Sequence, residues 1–155
     1  KSYLRYTVLA TLCFCLVAPM PAKATFTQAS AELRDSNSDG SLAMFYGLLS
    51  LLYDSSYLTY YSHIYMDSAQ SHALDGYLTA NRAYSQNPSH DGYLAQLYAY
   101  YDWYYKSQAS LSLYYTYLYP SFTYSSQSIS DGYLGLYYSS FSAYFTGLAS
   151  AGGAR

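Results

Sequence analysis

The best-spaced oxygen ligands in the chain are Asp35, Asn37 and Asp39. Side-chain oxygens at alternate positions, followed by Gly40 and the apolar Leu42, suit a tight loop around a hard divalent cation such as calcium. The shell is incomplete, because Ala43 offers no side-chain oxygen and Tyr46 stands where a bidentate carboxylate would close it. A polar approach to a helix, with Asp39 as its cap, is the competing reading of the same residues. Other chemistry-bearing types are sparse. His63, His72 and His90 show neither His-x3-His nor His-Glu-x-x-His spacing. Glu32 is the only glutamate, and no Gly-x-Ser-x-Gly elbow sets up a serine nucleophile. The expectation is a non-enzyme without a cofactor, calcium being the one candidate.

The segment Asp35-Ser36-Asn37-Ser38-Asp39-Gly40-Ser41-Leu42 resembles the first eight positions of an EF-hand or dockerin calcium loop. The resemblance covers this segment alone, and Tyr46 replaces the Glu of EF-hands and the Asp of dockerins. What it implies is a cation held by Asp35, Asn37 and Asp39.

The same segment opens an internal repeat. Asp39-Gly40-Ser41-Leu42, Asp75-Gly76-Tyr77-Leu78, Asp91-Gly92-Tyr93-Leu94 and Asp131-Gly132-Tyr133-Leu134 share a signature. In three copies an aromatic follows seven residues after the Asp (Tyr46, Tyr98, Tyr138) and another fourteen after it (Tyr53, Tyr105, Phe145). With the Leu at +3, these offsets mark one stripe of a helix. Asp is a favoured N-cap, so helices are expected to begin near Asp39, Asp75, Asp91 and Asp131, with the repeated Leu and +7 Tyr buried. Asn87-Pro88-Ser89 and Pro120 read as breaks. The predicted fold is all-α, a short array of helical hairpins built on the Asp-Gly-Tyr-Leu repeat. The alternative is α+β, with strands near 109–125, because Leu111 to Tyr119 nearly alternates and its residues favour strands.

Residues 1–24 read as a secretory signal peptide: Lys1 and Arg5 precede an apolar stretch, and Ala22-Lys23-Ala24 supplies a small-x-small cleavage pattern. Residues 25–38 read as a polar leader arm, 39–150 as the tyrosine-rich helical repeat domain and 151–155 as a flexible tail. The expected localisation is secreted, periplasmic or extracellular. Both cysteines, Cys13 and Cys15, fall inside the signal, so disulfides and thiol chemistry would leave with it. Removal of Lys1, Arg5 and Lys23 changes the formal charge from −2 to −5. Seven basic residues in 155 exclude a highly charged nucleic-acid binder.

Tyrosine remains the positive signal: 25 Tyr stand against 6 Phe, in a chain only 10% charged. Burial alone needs no hydroxyl, so the excess points to rings that meet water or partners. Copies of the same chain are the expected partner, through Tyr101, Trp103, Tyr104, Tyr114 and Tyr117, giving an extracellular filament, matrix or coat. The alternatives are a binding module with an aromatic groove for carbohydrate or peptide, and a membrane-associated accessory subunit.

Overall fold

The computed structural model describes residues 24–120 and 122–152. The signal-peptide reading therefore falls, except for Ala24, outside the described residues, as does the end of the tail, 153–155. Short polar links set the boundaries of four long helices: α1 (Phe26–Tyr53), α2 (Ser56–Gln86), α3 (His90–Leu118) and α4 (Phe122–Gly152). Thr25 and Gln28 form a capping box at the start of α1, while Ser55 and Ser89 cap α2 and α3 through their hydroxyls. Asp54 turns the chain between α1 and α2 at φ 48°, a left-handed conformation that Asp tolerates better than most residues. Asn87-Pro88-Ser89 and Pro120 lie in the other two links, where proline's missing N–H harms no helix.

Such short links make consecutive helices antiparallel neighbours. α1 packs on α2 and on α4, and α3 does the same, whereas the α1–α3 diagonal is barely touched. The chain is thus all-α, and its two hairpins close into an up-and-down four-helix bundle.

The inward face is built from small residues. In α1 it comprises Phe26, Ala29, Leu33, Ser36, Gly40, Ala43, Gly47 and Ser50, all buried, at alternating steps of three and four. The same alternation runs unbroken from Thr59 to Ala83 in α2, from Gly92 to Thr116 in α3 and from Ser125 to Ala149 in α4. A strict 3.5-residue period keeps the seam facing inward only if the helices coil left-handedly about one another. Small side chains let the backbones approach, and core serines then bond across the seams. Ser36 donates to the Ala69 carbonyl at 2.7 Å, and Ser62 returns the bond from α2 to the Ala43 carbonyl at 2.7 Å. Ser142 reaches the Ala95 carbonyl at 3.2 Å. These bonds satisfy hydroxyls that would otherwise be buried at a cost.

Several sequence expectations change here. Of the four Asp residues, only Asp91 lies in a first turn, one residue into α3 and behind the Ser89 cap. Asp39, Asp75 and Asp131 sit inside α1, α2 and α4. The signature instead marks a notch, because Gly40, Gly76, Gly92 and Gly132 all face the core. A β-carbon at Gly76 would stand 2.8 Å from Leu33 Cγ, and one at Gly92 would stand 2.7 Å from Phe26 Cζ. Each glycine is the space into which a larger side chain of a neighbouring helix fits. The repeated leucines turn outward: Leu42, Leu78 and Leu134 are exposed and Leu94 is half-buried. The polar leader, residues 25–38, is the cap and first turns of α1, because Phe26, Ala29 and Leu33 provide a core stripe between its polar residues. The strand alternative fails: residues 109–118 belong to α3, whose Leu113 and Thr116 continue the inward period, and no strand occurs among the described residues. Of the tail, Ala151 and Gly152 end α4.

Candidate functional site

The rings excluded from a core of small residues collect in the outer grooves. Along the α3–α4 seam, Phe145 stacks on Tyr98 (5.5 Å, 11°), Tyr98 on Tyr138 (6.2 Å, 22°) and Tyr138 on Tyr105 (5.4 Å, 8°). These four rings are the +7 and +14 residues of the third and fourth repeats, interleaved because α3 and α4 are antiparallel. Tyr46, the +7 residue of the first repeat, stacks on Tyr65 of α2 at 5.5 Å and 4°. Such contacts add about 0.5–1.5 kcal/mol each beyond area burial. Water displaced by the surrounding rings, and next the neighbouring phenols of Tyr105, Tyr137 and Tyr101, hold the Tyr138 hydroxyl above its ordinary pKa.

Outside the ladder lies a face without exposed charge. From Gly92 to Gly152 the only charged residues are Asp102, Lys106 and Asp131, and all three are buried. Exposed Arg34, Asp35, Asp54, Asp67, Asp75 and Arg82 all belong to α1, α2 and the link between them. On α4, Leu134, Tyr137, Phe141, Tyr144 and Leu148 are exposed at steps of three and four. On α3, Leu97, Tyr101, Tyr104, Gln108, Leu111, Tyr115 and Leu118 follow the same steps and are exposed or half-buried. Tyr101 touches Tyr138 at 5.2 Å, which orients this stripe toward α4.

The five ring candidates therefore divide. Tyr101 and Tyr104 lie on the α3–α4 face. Trp103 stacks on Tyr77 at 6.4 Å, Tyr114 lies 5.8 Å from His63 and Tyr117 lies 5.8 Å from Tyr60, all toward α2. The sequence signal for this face is sparseness: between Gly92 and Gly152 charge is confined to Asp102, Lys106 and Asp131.

Among the described residues, the core holds one Lys–Asp ion pair. Lys106 Nζ lies 2.7 Å from Asp102 Oδ1, both side chains are fully buried, and Lys106 donates to Ser36 Oγ at 2.6 Å. Gly40 and Gly135 make room for the lysine stem. Burial pushes the Asp102 carboxyl up and the Lys106 ammonium down, each against the pull of its partner.

Three further clusters are polar. Asp35, Asn37 and Asp39 lie on helical backbone, so the loop implied by the calcium-loop resemblance is replaced by the middle of α1; Asp39 Oδ2 accepts from Ser68 at 2.6 Å. Asp67 accepts a short hydrogen bond from Ser110, while His63 Nδ1 stands 3.7 Å from Asp67 and 3.5 Å from Ser110. One imidazole nitrogen faces both groups and the serine proton is directed to the carboxylate, so this cluster does not form a Ser-His-Asp relay. His90 is exposed at the start of α3.

His72 Nδ1 meets Glu32 at 2.9 Å across the α1–α2 seam. The hydrogen bond to Glu32 raises the His72 pKa against a smaller opposing effect of burial, with added pull from Asp39 and Asp35. A raised folded-state pKa stabilises the bundle fully below the unfolded value of about 6.5. That contribution is lost as pH rises through the higher folded value. Both groups are more than a third exposed, so less than about 1 kcal/mol is expected. His72→Gln should flatten the fall in thermal midpoint between about pH 6 and 8; an unchanged slope would assign it to another group.

The fold and site define an antiparallel four-helix bundle with a small-residue core and an aromatic, partly uncharged exterior. Comparison with protein-family models, with curated proteins and with solved structures finds no match. Among the described residues, no helix is long and apolar enough to cross a membrane.

Proposed function

We propose that the chain is an exported structural subunit that packs against copies of itself through the uncharged face of α3 and α4, building a filament, matrix or coat. One observation carries this reading: no charged side chain is exposed from Gly92 to Gly152, while Tyr, Leu and Phe are. A face of this kind gains by leaving water. It offers no ion pair to a charged partner, and its hydroxyls can still be satisfied at a contact that retains water. The outer stripes repeat every 3.5 residues, like the core beneath them. They therefore stay aligned along the supercoil and match helices of the same pitch, which a second copy provides. Export rests on the signal-like residues 1–24.

Sedimentation velocity tests the reading. The protein is expected to form concentration-dependent oligomers, and Tyr104→Lys or Tyr137→Lys should weaken association about tenfold or more by burying an unpaired charge. Leu78→Lys, on α2, should leave association unchanged. A wild-type monomer at about 0.5 mM, where even a weak contact of Kd near 0.1 mM populates dimers, would reject the proposal.

A further inference from the structure

The last core layer, where α1 and α3 end and α2 and α4 begin, carries a hydroxyl from every helix: Ser50, Thr59, Thr116 and Ser125. Three of these protons are committed to their own helices. Ser50 donates to the Gly47 carbonyl at 2.8 Å, Thr59 to that of Ser55 at 3.2 Å and Thr116 to that of Ser112 at 2.9 Å. Their oxygens keep lone pairs for whatever enters the cleft above, which measures about 540 Å³ and has Asp54 on its wall. No Lys, Arg or His is among the described residues lining it.

A second hollow of about 400 Å³, sharing Ser56 and Tyr117 with the first, is walled by Tyr57, Tyr60 and Tyr117. The Tyr60 and Tyr117 ring centroids stand 5.8 Å apart, with the ring planes inclined at 46°. Aromatic faces are electronegative and attract cations held within about 6 Å of the ring. Acceptor oxygens, a carboxylate and three ring walls, with no base to oppose them, disfavour an anion and favour a cation that carries hydrogen-bond donors. The combined space is of the size that takes small molecules.

We propose that this end of the bundle binds a small organic ammonium ion. Its charged nitrogen lies against Tyr57, Tyr60 and Tyr117, and its N–H or O–H donors point to Thr59, Thr116 and Asp54. The site is separate from the α3–α4 face and does not depend on self-association.

Isothermal titration with choline and putrescine probes the quaternary and primary forms of the ligand, and 3,3-dimethylbutan-1-ol is the neutral counterpart of choline. Saturable binding of either cation, at least about tenfold tighter than that of the neutral alcohol, is expected. Tyr117→Ala and Asp54→Asn should each weaken it about fivefold or more, and Tyr144→Ala, at the other end of the bundle, should not. Tyr57→Leu serves as a second ring variant, its side chain being largely exposed at 65%. Equal binding of the neutral alcohol, binding of glucose but of neither cation, no saturation by about 50 mM, or cation affinity indifferent to both ring variants would each overturn the proposal.

Discussion

Lys106→Met is expected to lower the unfolding free energy by about 3–5 kcal/mol, because it leaves Asp102 buried without its counter-charge. Methionine keeps most of the lysine stem's volume in the space beside Gly40 and Gly135, so the loss reports charge more than packing. The pH dependence separates the two causes. Burial already pushes the Asp102 carboxyl up, and removing Lys106 removes the main opposing pull. A folded-state pKa raised above the unfolded value of about 3.9 gives stability that is complete below that value and lost as pH rises through the folded one. The defect of the variant should therefore be small near pH 4 and grow toward pH 7. Urea titrations followed by helical circular dichroism and by Trp103 fluorescence provide the measurement. Adding Asp102→Ala to Lys106→Met should restore much of the loss, since a buried ion pair repays little beyond its own desolvation. A defect independent of pH, or a double variant no better than the single one, would mean that the pair acts through packing alone.

Gly76→Val is expected to cost about 1–3 kcal/mol by overpacking. Its β-carbon alone would stand 2.8 Å from Leu33 Cγ and 3.5 Å from the Leu33 backbone nitrogen, leaving little room for the leucine to retreat. If the glycine is a notch for that side chain, Leu33→Ala should cost less in the Gly76→Val background than in the wild type. The coupling in such a double-mutant cycle is the quantity to measure. Gly147 supplies the control: nothing lies within 4 Å of a β-carbon there, so Gly147→Ala should stabilise α4 by about 0.5–1 kcal/mol through helix propensity. Equal responses at Gly76 and Gly147 would dismiss the notch.

The helical class was legible in the aromatic offsets after Asp39, Asp91 and Asp131, and two of the three links were legible in Asn87-Pro88-Ser89 and Pro120. The inward face was legible too, but in residues that carry little hydropathic weight. Ala29, Ser36, Gly40, Ala43 and Gly47 keep a heptad that runs the length of α1. Assigning the core to the largest apolar residues gave Leu42 and Leu134 the places that Gly40 and Gly132 occupy. Asp-Gly reads as a cap or turn when taken locally, and becomes a notch only when Leu33, Phe26 or Met44 arrives from another helix. For the same reason Asp35, Asn37 and Asp39 lie on a helix where the calcium-loop resemblance implies a loop, since core contacts on both sides keep the segment helical.

What the sequence determined by itself is periodicity and charge. The 3.5-residue recurrence of small side chains, the breaks between helices and the scarcity of charged residues between Gly92 and Gly152 are all properties of residue order. What only the tertiary structure decided is pairing between distant residues: Lys106 with Ser36 across the core, Tyr98 with Tyr138 and Phe145 in the ladder, and hydroxyls from four helices at one mouth. The physical reason is that a heptad of Ala, Ser and Gly specifies close approach without specifying a partner. The bundle acquires its identity from the few large or charged side chains that fit only one gap, and from the rings that the narrow core leaves outside.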